Sequence, residues 1–403
     1  LSSFGLKKGD HVVLFAENSP QWGMCHLGAV LAGLVVVPID WQTWHREVWS
    51  VAAFTDARAI LASTKALGRL TREELSANES SKTPRLLLSV NRFAEPFALP
   101  NLPRSTSPPI VLEVATAPSL DPDDPVAIVF TTGTMVNPKG AVHTHRTFLS
   151  NVRGVNYYLS VSEADRLFSV LPLYHCLEFT CGFLMALYGG AQVTYSHSLK
   201  PMVIIDLMKE TKATCLLGVP TLFSLIREDI ERRILKSASS FLRSNLLETS
   251  QRVNFSLDQR FGASLAKRLF GKVHQEFGGN VRVLVSGGSS LGSSLYRYFK
   301  ALGMPIYEGY GLTETAPVLT VNPLDQSREA SAGKPLPGVE LRLYRPDRDG
   351  VGEIIVRTPS LMLGYYRNDE ATRAVIRDGW FHTGDLGWVD MDGFVYVTGR
   401  CKD

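Results

Sequence analysis

The chain has 403 residues, of which 45% are hydrophobic and 20% charged, and its formal net charge at pH 7 is +3. This composition is ordinary for a globular protein, and the near balance of charge argues against a nucleic-acid partner. The length predicts two or three compact units. The sequence contains no apolar run as long as a membrane span, and its five cysteines follow no zinc or disulfide spacing, so a reducing, cytoplasmic setting is expected.

The first part of the chain alternates apolar runs with helical patterns, which is typical of a parallel, doubly wound α/β sheet. The predicted elements are a strand at residues 11–16, a helix at 20–33, a strand at 34–39, a helix at 43–57 and a strand at 59–62. Eight prolines lie within residues 92–125 and predict a surface connection, because proline sustains neither a helix nor a central strand.

A polar, glycine-bearing loop follows a buried apolar run at residues 126–130. Residues 130–142 read Phe-Thr-Thr-Gly-Thr-Met-Val-Asn-Pro-Lys-Gly-Ala-Val, and a helix is predicted to begin near Thr144. Between a strand and a helix, backbone N–H groups and hydroxyls can bind an anion, and Lys139 adds positive charge. A Walker A motif is excluded, because Pro138 and Gly140 flank the lysine. The pattern predicts a phosphate-binding loop, with an ordinary turn as the alternative.

The α/β alternation continues beyond this loop and then changes character. Helices are predicted at residues 145–158, after Glu178 and at 290–302, and strands at 167–171, 192–195, 214–217, 281–286 and 305–308. Residues 222–277 show a long, basic helical pattern, which predicts a core-packed helix, with peripheral membrane contact as the alternative. Past Val321, short alternating segments at residues 339–344, 353–357, 380–382 and 394–398 predict a small antiparallel sheet or barrel.

Five further stretches occur in the order of the motifs of one known family. They are Leu-Pro-Leu-Tyr-His at residues 171–175, Ser-Gly-Gly-Ser at 286–289, Tyr-Glu-Gly-Tyr-Gly-Leu-Thr-Glu at 307–314, Thr-Gly-Asp at 383–385 and Gly-Arg-Cys-Lys-Asp at 399–403. Together with the loop, they resemble the adenylate-forming superfamily of acyl-CoA synthetases, luciferases and peptide-synthetase adenylation domains. Within it, the insertion after Phe223 and residues 173–183 and 315–323 look most like long-chain fatty acyl-CoA synthetases.

The resemblance implies two doubly wound α/β subdomains, layered αβαβα, and a small distorted β-barrel. The expected divisions are residues 1–160 with the phosphate loop, 161–321 with the acyl and adenine site, 322–398 for the barrel-like part, and 399–403 as a hinge. In the family the hinge, here at Lys402, leads to a C-terminal domain that carries a lysine for adenylation. A chain that stops at the hinge is therefore expected to bind ATP but to form acyl-AMP slowly and thioester hardly at all.

The resemblance also implies a role for particular side chains. Catalytic candidates are Lys139 at the phosphates, His175 beside the reacting carboxylate, Thr313 at the α-phosphate, and Glu314, which with Thr131 holds Mg²⁺. The nucleotide-binding set comprises Thr131, Thr132, Gly133, Thr134, Lys139, Gly140, Gly288, Ser289, Glu308, Gly309, Tyr310, Gly311, Thr313, Asp385 and Arg400. Tyr310 is expected to stack on adenine, while Asp385 and Arg400 reach the ribose. Structural or solvated roles are the alternative for each isolated residue.

The implied reaction has two steps and uses ATP, Mg²⁺ and a thiol acceptor, either coenzyme A or acyl carrier protein. A carboxylate, expected to be a medium- or long-chain fatty acid, attacks the α-phosphate of ATP, and the thiol then displaces AMP from the acyl-AMP. An enzyme that adenylates aryl or amino acids is one alternative. A non-catalytic relative is the other, because Met135 and Val136 stand where the family has Thr and Gly. Thr358 and Ala332 also replace glycines of the family pattern.

Overall fold

The structure, a computed structural model, describes residues 4–68, 86–90, 118–131, 139–233 and 266–401. The chain divides into two compact units. Unit 1 comprises Leu1–Phe148, Pro172–Cys176 and Met362–Thr372, and unit 2 comprises Leu149–Leu171, Leu177–Leu361 and Arg373–Asp403. The predicted phosphate-loop residues Thr132, Gly133 and Thr134, much of the proline-rich connection, residues 234–265 of the basic helical pattern, and Lys402 lie outside the described residues.

A seven-stranded sheet forms the centre of unit 1. Its strands are β1 (His11–Phe15), β2 (Val35–Ile39), β3 (Ala59–Ala62), β4 (Leu86–Ser89), β5 (Pro125–Phe130), β6 (Gly140–Thr144) and β16 (Gly364–Tyr365). They lie in the order β16-β6-β5-β2-β1-β3-β4, with parallel pairing from β5 to β4 and antiparallel pairing at β5-β6-β16. Strands β1, β2 and β3 are almost entirely apolar and buried, as expected for parallel strands covered on both faces.

The helix predicted to begin near Thr144 is present, but a strand that was not predicted lies between the phosphate loop and this helix. Residues Gly140–Thr144 form strand β6, antiparallel to β5, and the helix begins only at His145. Short apolar runs do not distinguish a buried strand from a helix start, and here pairing with β5 decides the conformation. A Cβ at Gly140 would overlap the Ile128 side chain, so glycine permits close packing of the two strands. The loop therefore joins two antiparallel strands, and anion binding by a helix N-terminus does not apply to it.

A second seven-stranded sheet forms the centre of unit 2. Its strands are β7 (Arg166–Ser169), β8 (Gln192–Tyr195), β9 (Cys215–Gly218), β10 (Val283–Ser286), β11 (Ile306–Gly311), β12 (Val318–Val321) and β13 (Lys334–Pro335). The order is β13-β12-β11-β10-β9-β7-β8. Pairing is parallel from β8 to β11, whereas β12 and β13 add an antiparallel edge that the alternation did not predict.

Short helices flank both sheets. Their bounds are α1 (Pro20–Leu31), α2 (His45–Phe54), α3 (Thr64–Leu67), α4 (His145–Leu159), a π-helix (Glu178–Leu184), α5 (Met185–Gly189), α6 (Pro201–Thr211), α7 (Pro220–Arg233), α8 (Gly271–Glu276), α9 (Ser293–Ala301), a 3₁₀ turn (Thr313–Thr315) and α10 (Asp369–Val375). In unit 2, Phe223, Phe277 and Phe299 are buried in the core against the sheet. Within the described residues, every helix is too short or too polar to cross a membrane.

The last part of unit 2 is an antiparallel sheet. Its strands are β14 (Glu340–Tyr344), β15 (Gly352–Arg357), β17 (Ile376–Arg377), β18 (Trp380–Val389) and β19 (Val395–Arg400). The order is β14-β15-β18-β17, and β19 pairs with β18 on a separate path, so the sheet curls. The predicted α/β class with a small antiparallel sheet is confirmed.

Candidate functional site

The carboxyl ends of β10 and β11 lie side by side in unit 2, because Ser286 pairs with Glu308 in parallel register. The glycine loop after β10 carries Gly288, with φ of +84°, a left-handed conformation that favours glycine. The predicted residues Glu308, Gly309, Tyr310 and Gly311 are all part of β11 itself. In parallel sheets, ligands bind outside the carboxyl ends of the strands, so the fold brings two predicted adenine segments together at such an edge.

Tyr310 and Asp385 are joined directly. The Tyr310 hydroxyl donates a hydrogen bond of 2.7 Å to Asp385 Oδ2, and Arg400 Nε lies 3.1 Å from Asp385 Oδ1. The side chain of Asp385 is 7% exposed, whereas that of Arg400 is 64% exposed. Burial raises the pKa of Asp385, although the Tyr310 hydrogen bond and the Arg400 charge lower it in part. Three residues predicted to contact adenosine are therefore brought together in one cluster.

Gly311 is required by the close approach of two backbone segments. Its position lies at an irregularity in the pairing of β11 with β12, and a Cβ there would overlap the carbonyl oxygen of Pro317. The chain then enters the 3₁₀ turn that contains Thr313 and Glu314. A side chain at position 311 would push Pro317 and the start of β12, which follow this turn in the chain, away from β11.

Asn151 supports the same turn and was missed by the sequence analysis. This buried side chain on α4 donates to the carbonyl oxygens of Thr315 and Val318, at 3.1 and 2.7 Å, and accepts from the Val318 N–H. It thereby satisfies backbone groups where the chain leaves the 3₁₀ turn. A polar residue on the apolar face of a predicted helix was the available indication, but its partners lie more than 160 residues away in the chain.

Two acidic residues of the site differ in their surroundings. Burial raises the pKa of Glu308 to about 7, although hydrogen bonds from the Leu291 N–H and the Ser290 hydroxyl lower it in part. Glu314 is 9% exposed on the 3₁₀ turn. Among the described residues, no group of three or more His, Cys, Asp or Glu side chains could hold a metal ion by itself. A metal bound here would therefore take most of its ligands from substrate and water.

The turn before Asp385 is held by Glu353, which the sequence analysis also missed. Glu353 Oε1 accepts from the Gly384 N–H at 3.1 Å, and Oε2 lies 2.9 Å from His382 Nδ1. The Thr383 hydroxyl donates to the Ile354 carbonyl at 2.7 Å and accepts from the Asp385 N–H at 3.1 Å. Glu353 lies on β15 directly after Gly352, so its carboxylate was visible in the sequence, but its partners were not.

Unit 1 carries the predicted residues Thr131, Lys139, Gly140 and His175. The Thr131 N–H donates to the Lys139 carbonyl at 3.0 Å, which joins the two ends of the phosphate loop. Lys139 Nζ lies 5.2 Å from the centre of the Tyr365 ring, a cation–π contact. The lysine side chain is thus placed against an aromatic ring within its own unit.

His175 lies in a short segment of unit 1 that is fixed by two polar contacts. Its neighbour Tyr174 donates to Asp40 at 3.2 Å, and the Leu173 N–H donates to the Asn18 side chain at 2.8 Å. Burial lowers the pKa of His175, although the Asp40 charge raises it in part. The imidazole is therefore neutral at pH 7 and can form hydrogen bonds without adding charge.

A shallow pocket of about 440 Å³ lies elsewhere in unit 2. Its lining consists of Gln326, Ser327, Arg328, Lys334, Asp392 and Phe394. None of these residues belongs to the predicted site. Arg328 is already bonded to Asp390 and Asp392, so its charge is neutralised within the protein. The pocket therefore gives no support to a second nucleotide site.

Comparison with known proteins gives consistent results. A family model described as AMP-binding enzyme matches residues 1–366. The long-chain-fatty-acid–CoA ligase FadD15 of Mycobacterium bovis is 29% identical, over 100% of this chain and 67% of its own length. The crystal structure of ATP-bound MatB from Rhodopseudomonas palustris aligns with a TM-score of 0.75 at 26% identity, over 100% of this chain and 71% of that chain. The N-terminal domain of FACL13 from Mycobacterium tuberculosis has the same fold, with a TM-score of 0.71 at 21% identity, over 99% and 88% of the two chains.

Proposed function

Because this chain belongs to the AMP-binding enzyme family, we propose that it activates a carboxylic acid with ATP through an acyl-AMP and passes the acyl group to a thiol. The observation that carries the proposal is the hydrogen bond between Tyr310 and Asp385 at the carboxyl end of β11. An aromatic face can stack on a purine, and a carboxylate can accept hydrogen bonds from both ribose hydroxyls. This pairing fits adenosine better than a free phosphate or an acyl chain.

We assign the remaining nucleotide contacts by the chemistry of each side chain. Gly288 and Ser289 present backbone to the edge of the base, because a missing side chain allows a flat ring to approach. Arg400 supports Asp385 at the ribose, and the Thr313 hydroxyl donates to the α-phosphate. In unit 1, Lys139 supplies positive charge to the phosphates, together with Thr131, Thr132, Gly133, Thr134 and Gly140 of the loop. His175, neutral at pH 7, hydrogen-bonds near the reacting carboxylate.

The donor set fits Mg²⁺ as the cofactor of this proposal. Mg²⁺ prefers oxygen ligands and keeps several waters and substrate phosphates, so a site with one protein carboxylate suits it. We propose Glu314 as its protein ligand in unit 2, in keeping with the family resemblance. When bound, Mg²⁺ would neutralise phosphate charge and so permit an anionic carboxylate to approach. The chain's own contribution is to position these oxygens and to hold the ribose.

A medium- or long-chain fatty acid is the substrate that we propose, with coenzyme A or acyl carrier protein as the acceptor. The support is the name of the relative from Mycobacterium bovis, of which this chain spans about two thirds. Aryl and amino acid substrates are the alternative within the same chemistry. Such substrates would need a charged or polar group in the acyl pocket to pair with a ring substituent or an amino group.

A non-catalytic, nucleotide-binding protein is the second candidate, and one observation favours it. Met135 and Val136 remove a hydroxyl and a glycine from the phosphate loop. If the loop still serves ATP, the double substitution Met135→Thr with Val136→Gly should tighten ATP binding, since it restores a hydroxyl and backbone freedom. Weaker binding by this variant, measured by calorimetry, would show that the present loop is adapted to its ligand.

The test of the proposed function combines binding with chemistry. Calorimetry with ATP and Mg²⁺ should show binding that is lost in Asp385→Ala and kept in Glu210→Gln, an exposed control on α6. Pyrophosphate release should then follow addition of octanoate or palmitate, and hydroxylamine should trap the acyl-AMP as a hydroxamate. Pyrophosphate release with benzoate or phenylalanine, but with neither fatty acid, would show that the substrate is an aryl or amino acid. Binding without release from any acid would favour the non-catalytic candidate, and absence of ATP binding would refute the proposal.

A further inference from the structure

We infer that Glu353 is a positioning residue for ribose binding, acting through Asp385. The inference rests on the proposed function, and it concerns a side chain that the nucleotide itself would not touch. Glu353 lies on β15, and its partners lie on the neighbouring strand β18, where the pairing between the two strands is irregular at this point. Between the pairs Ile355–His382 and Glu353–Leu386, the irregularity leaves Thr383, Gly384 and Asp385 without a residue of β15 in register, so other groups fix this turn.

Each oxygen of the Glu353 carboxylate contacts a different residue. Oε1 accepts the Gly384 N–H, and Oε2 is in contact with His382 Nδ1, so one carboxylate holds positions on both sides of Thr383. Gly384 has φ of +73°, a left-handed conformation that other residues adopt only with strain. A charged acceptor forms a stronger hydrogen bond than a neutral one, so the Glu353 carboxylate holds the Gly384 N–H firmly.

The remaining backbone groups of the turn are fixed as well. The Thr383 hydroxyl links the Ile354 carbonyl to the Asp385 N–H, and the Gly384 carbonyl accepts the Cys401 N–H at 2.9 Å. The direction in which the Asp385 side chain leaves β18 is therefore determined by contacts to β15 and to Cys401, which follows β19. Among these contacts Glu353 supplies the carboxylate, and its charge also raises the pKa of Asp385.

This arrangement predicts a ribose-selective defect. Glu353→Gln retains the side-chain volume but replaces one carboxylate oxygen by an NH₂ group, so the negative charge is lost and the hydrogen bond to the Gly384 N–H becomes a weaker, neutral one. Asp385 would then lose its alignment with the two ribose hydroxyls, whereas the base and phosphate contacts lie on other segments. We expect AMP to bind about tenfold more weakly, in line with one lost charged hydrogen bond. Binding of 2′,3′-dideoxy-AMP, which lacks both hydroxyls, should change less than about twofold.

The experiment is a calorimetric cycle on folded protein with AMP and 2′,3′-dideoxy-AMP. The proteins are the unaltered chain, Glu353→Gln, Asp385→Asn, the double variant, and Glu340→Gln as a control for loss of an exposed carboxylate on the adjacent strand β14. The double variant should bind AMP no more weakly than Asp385→Asn alone, because both changes disable the same contact. Glu353→Asp, which keeps the charge but shortens its reach, is the second variant in case the glutamine variant does not fold, and it should show the same ribose-selective loss.

Several results would overturn the inference. Equal weakening of both nucleotides by Glu353→Gln or Glu353→Asp would indicate a general structural role. Unchanged AMP affinity, or losses that multiply in the double variant, would show that Glu353 does not act through Asp385. If the unaltered chain binds neither nucleotide, the proposed function fails and this inference falls with it. If the unaltered chain binds AMP but Glu353→Gln weakens both nucleotides equally, the inference about Glu353 is refuted and the proposed function stands.

Discussion

Replacing Glu178 with glutamine is expected to stabilise the protein above neutral pH. Glu178 begins the π-helix of unit 2, and its side chain is fully buried. Burial raises the pKa of Glu178 to about 8, although the Ser169 hydroxyl and the Leu171 N–H lower it in part. The carboxyl also packs over Gly182, which leaves no room there for a Cβ. An ionised carboxylate in this setting loses its hydration, and none of the described residues shifts its pKa as an opposite charge would.

The sign of the effect follows from proton binding. Between pH 4.5 and about 8 the folded chain keeps the Glu178 proton, whereas the unfolded chain has lost it. The free energy of unfolding therefore falls as pH rises through this interval. At 1.36 kcal/mol per pH unit, the loss between pH 5.5 and pH 8.5 amounts to about 3 kcal/mol. Glutamine does not ionise, so the variant does not lose this stability as pH rises. Its buried amide N–H groups, however, lower the free energy of unfolding by on the order of 1–3 kcal/mol at every pH. The stability curves of the two proteins should therefore cross.

Urea denaturation followed by tryptophan fluorescence at pH 5.5 and pH 8.5 measures this difference. Glu178→Gln should lose less stability than the unaltered chain between the two pH values, by about 3 kcal/mol. Glu210→Gln, an exposed carboxylate on α6, serves as the control and should follow the unaltered chain. If the free energies of unfolding of Glu178→Gln and of the unaltered protein change equally with pH, the reasoning is refuted. Such a result would mean that Glu178 has the same pKa in the folded and the unfolded chain.

Three other changes test the fold and the site. Burial favours a higher pKa for Asp165, but hydrogen bonds, chiefly from Arg282, outweigh it and lower the pKa to about 2. The stabilisation that these bonds give to the folded chain is present above pH 3.8 and is lost as pH falls through about 2. Asp165→Asn should therefore lower the free energy of unfolding at pH 7 by about 2 kcal/mol, measured by urea denaturation. An equal loss at pH 3 would contradict this explanation. Gly311→Ala should lower stability by roughly 2–4 kcal/mol and abolish AMP binding, because its Cβ overlaps the Pro317 carbonyl; a variant with unchanged melting temperature would show that β12 yields easily. Glu314→Gln should weaken Mg²⁺-dependent ATP binding about tenfold while the melting temperature stays constant, and unchanged affinity in calorimetry would remove Glu314 from the site.

The parallel strands were predictable because each is a continuous apolar run. Strands β1, β2 and β10 are short, buried and bounded by turn residues, and such runs identify themselves without knowledge of their partners. The octapeptide at residues 307–314 was predictable for another reason. Its glycines, aromatic ring and carboxylate are closely spaced in the chain, so the local sequence contains most of that part of the site.

The antiparallel additions were not predictable from the same patterns. Strand β6 has an apolar run no longer than the first turn of a helix, and its pairing with β5 and β16 makes it a strand. Strand β12 likewise depends on the bulged pairing with β11. Asn151 and Glu353 act on backbone groups that are distant in the chain, at separations of 164 and 31 residues for the bonds to Thr315 and Gly384. Such supporting contacts are properties of the folded chain.

The electrostatics of unit 2 impose a condition on any nucleotide that binds there. Glu308, Glu314 and Asp385 place three carboxyl groups on or beside the end of β11, and burial raises the pKa of Glu308 and of Asp385. Partial protonation of Glu308 near pH 7 reduces the repulsion that a polyanion meets, but it does not remove the negative charge of the cluster. The ribose can use that charge, since hydroxyls donate to carboxylates, whereas a triphosphate cannot. A cation must therefore accompany the phosphates, and ATP binding should depend on Mg²⁺ far more steeply than the binding of adenosine, which carries the same ring and ribose but no phosphate.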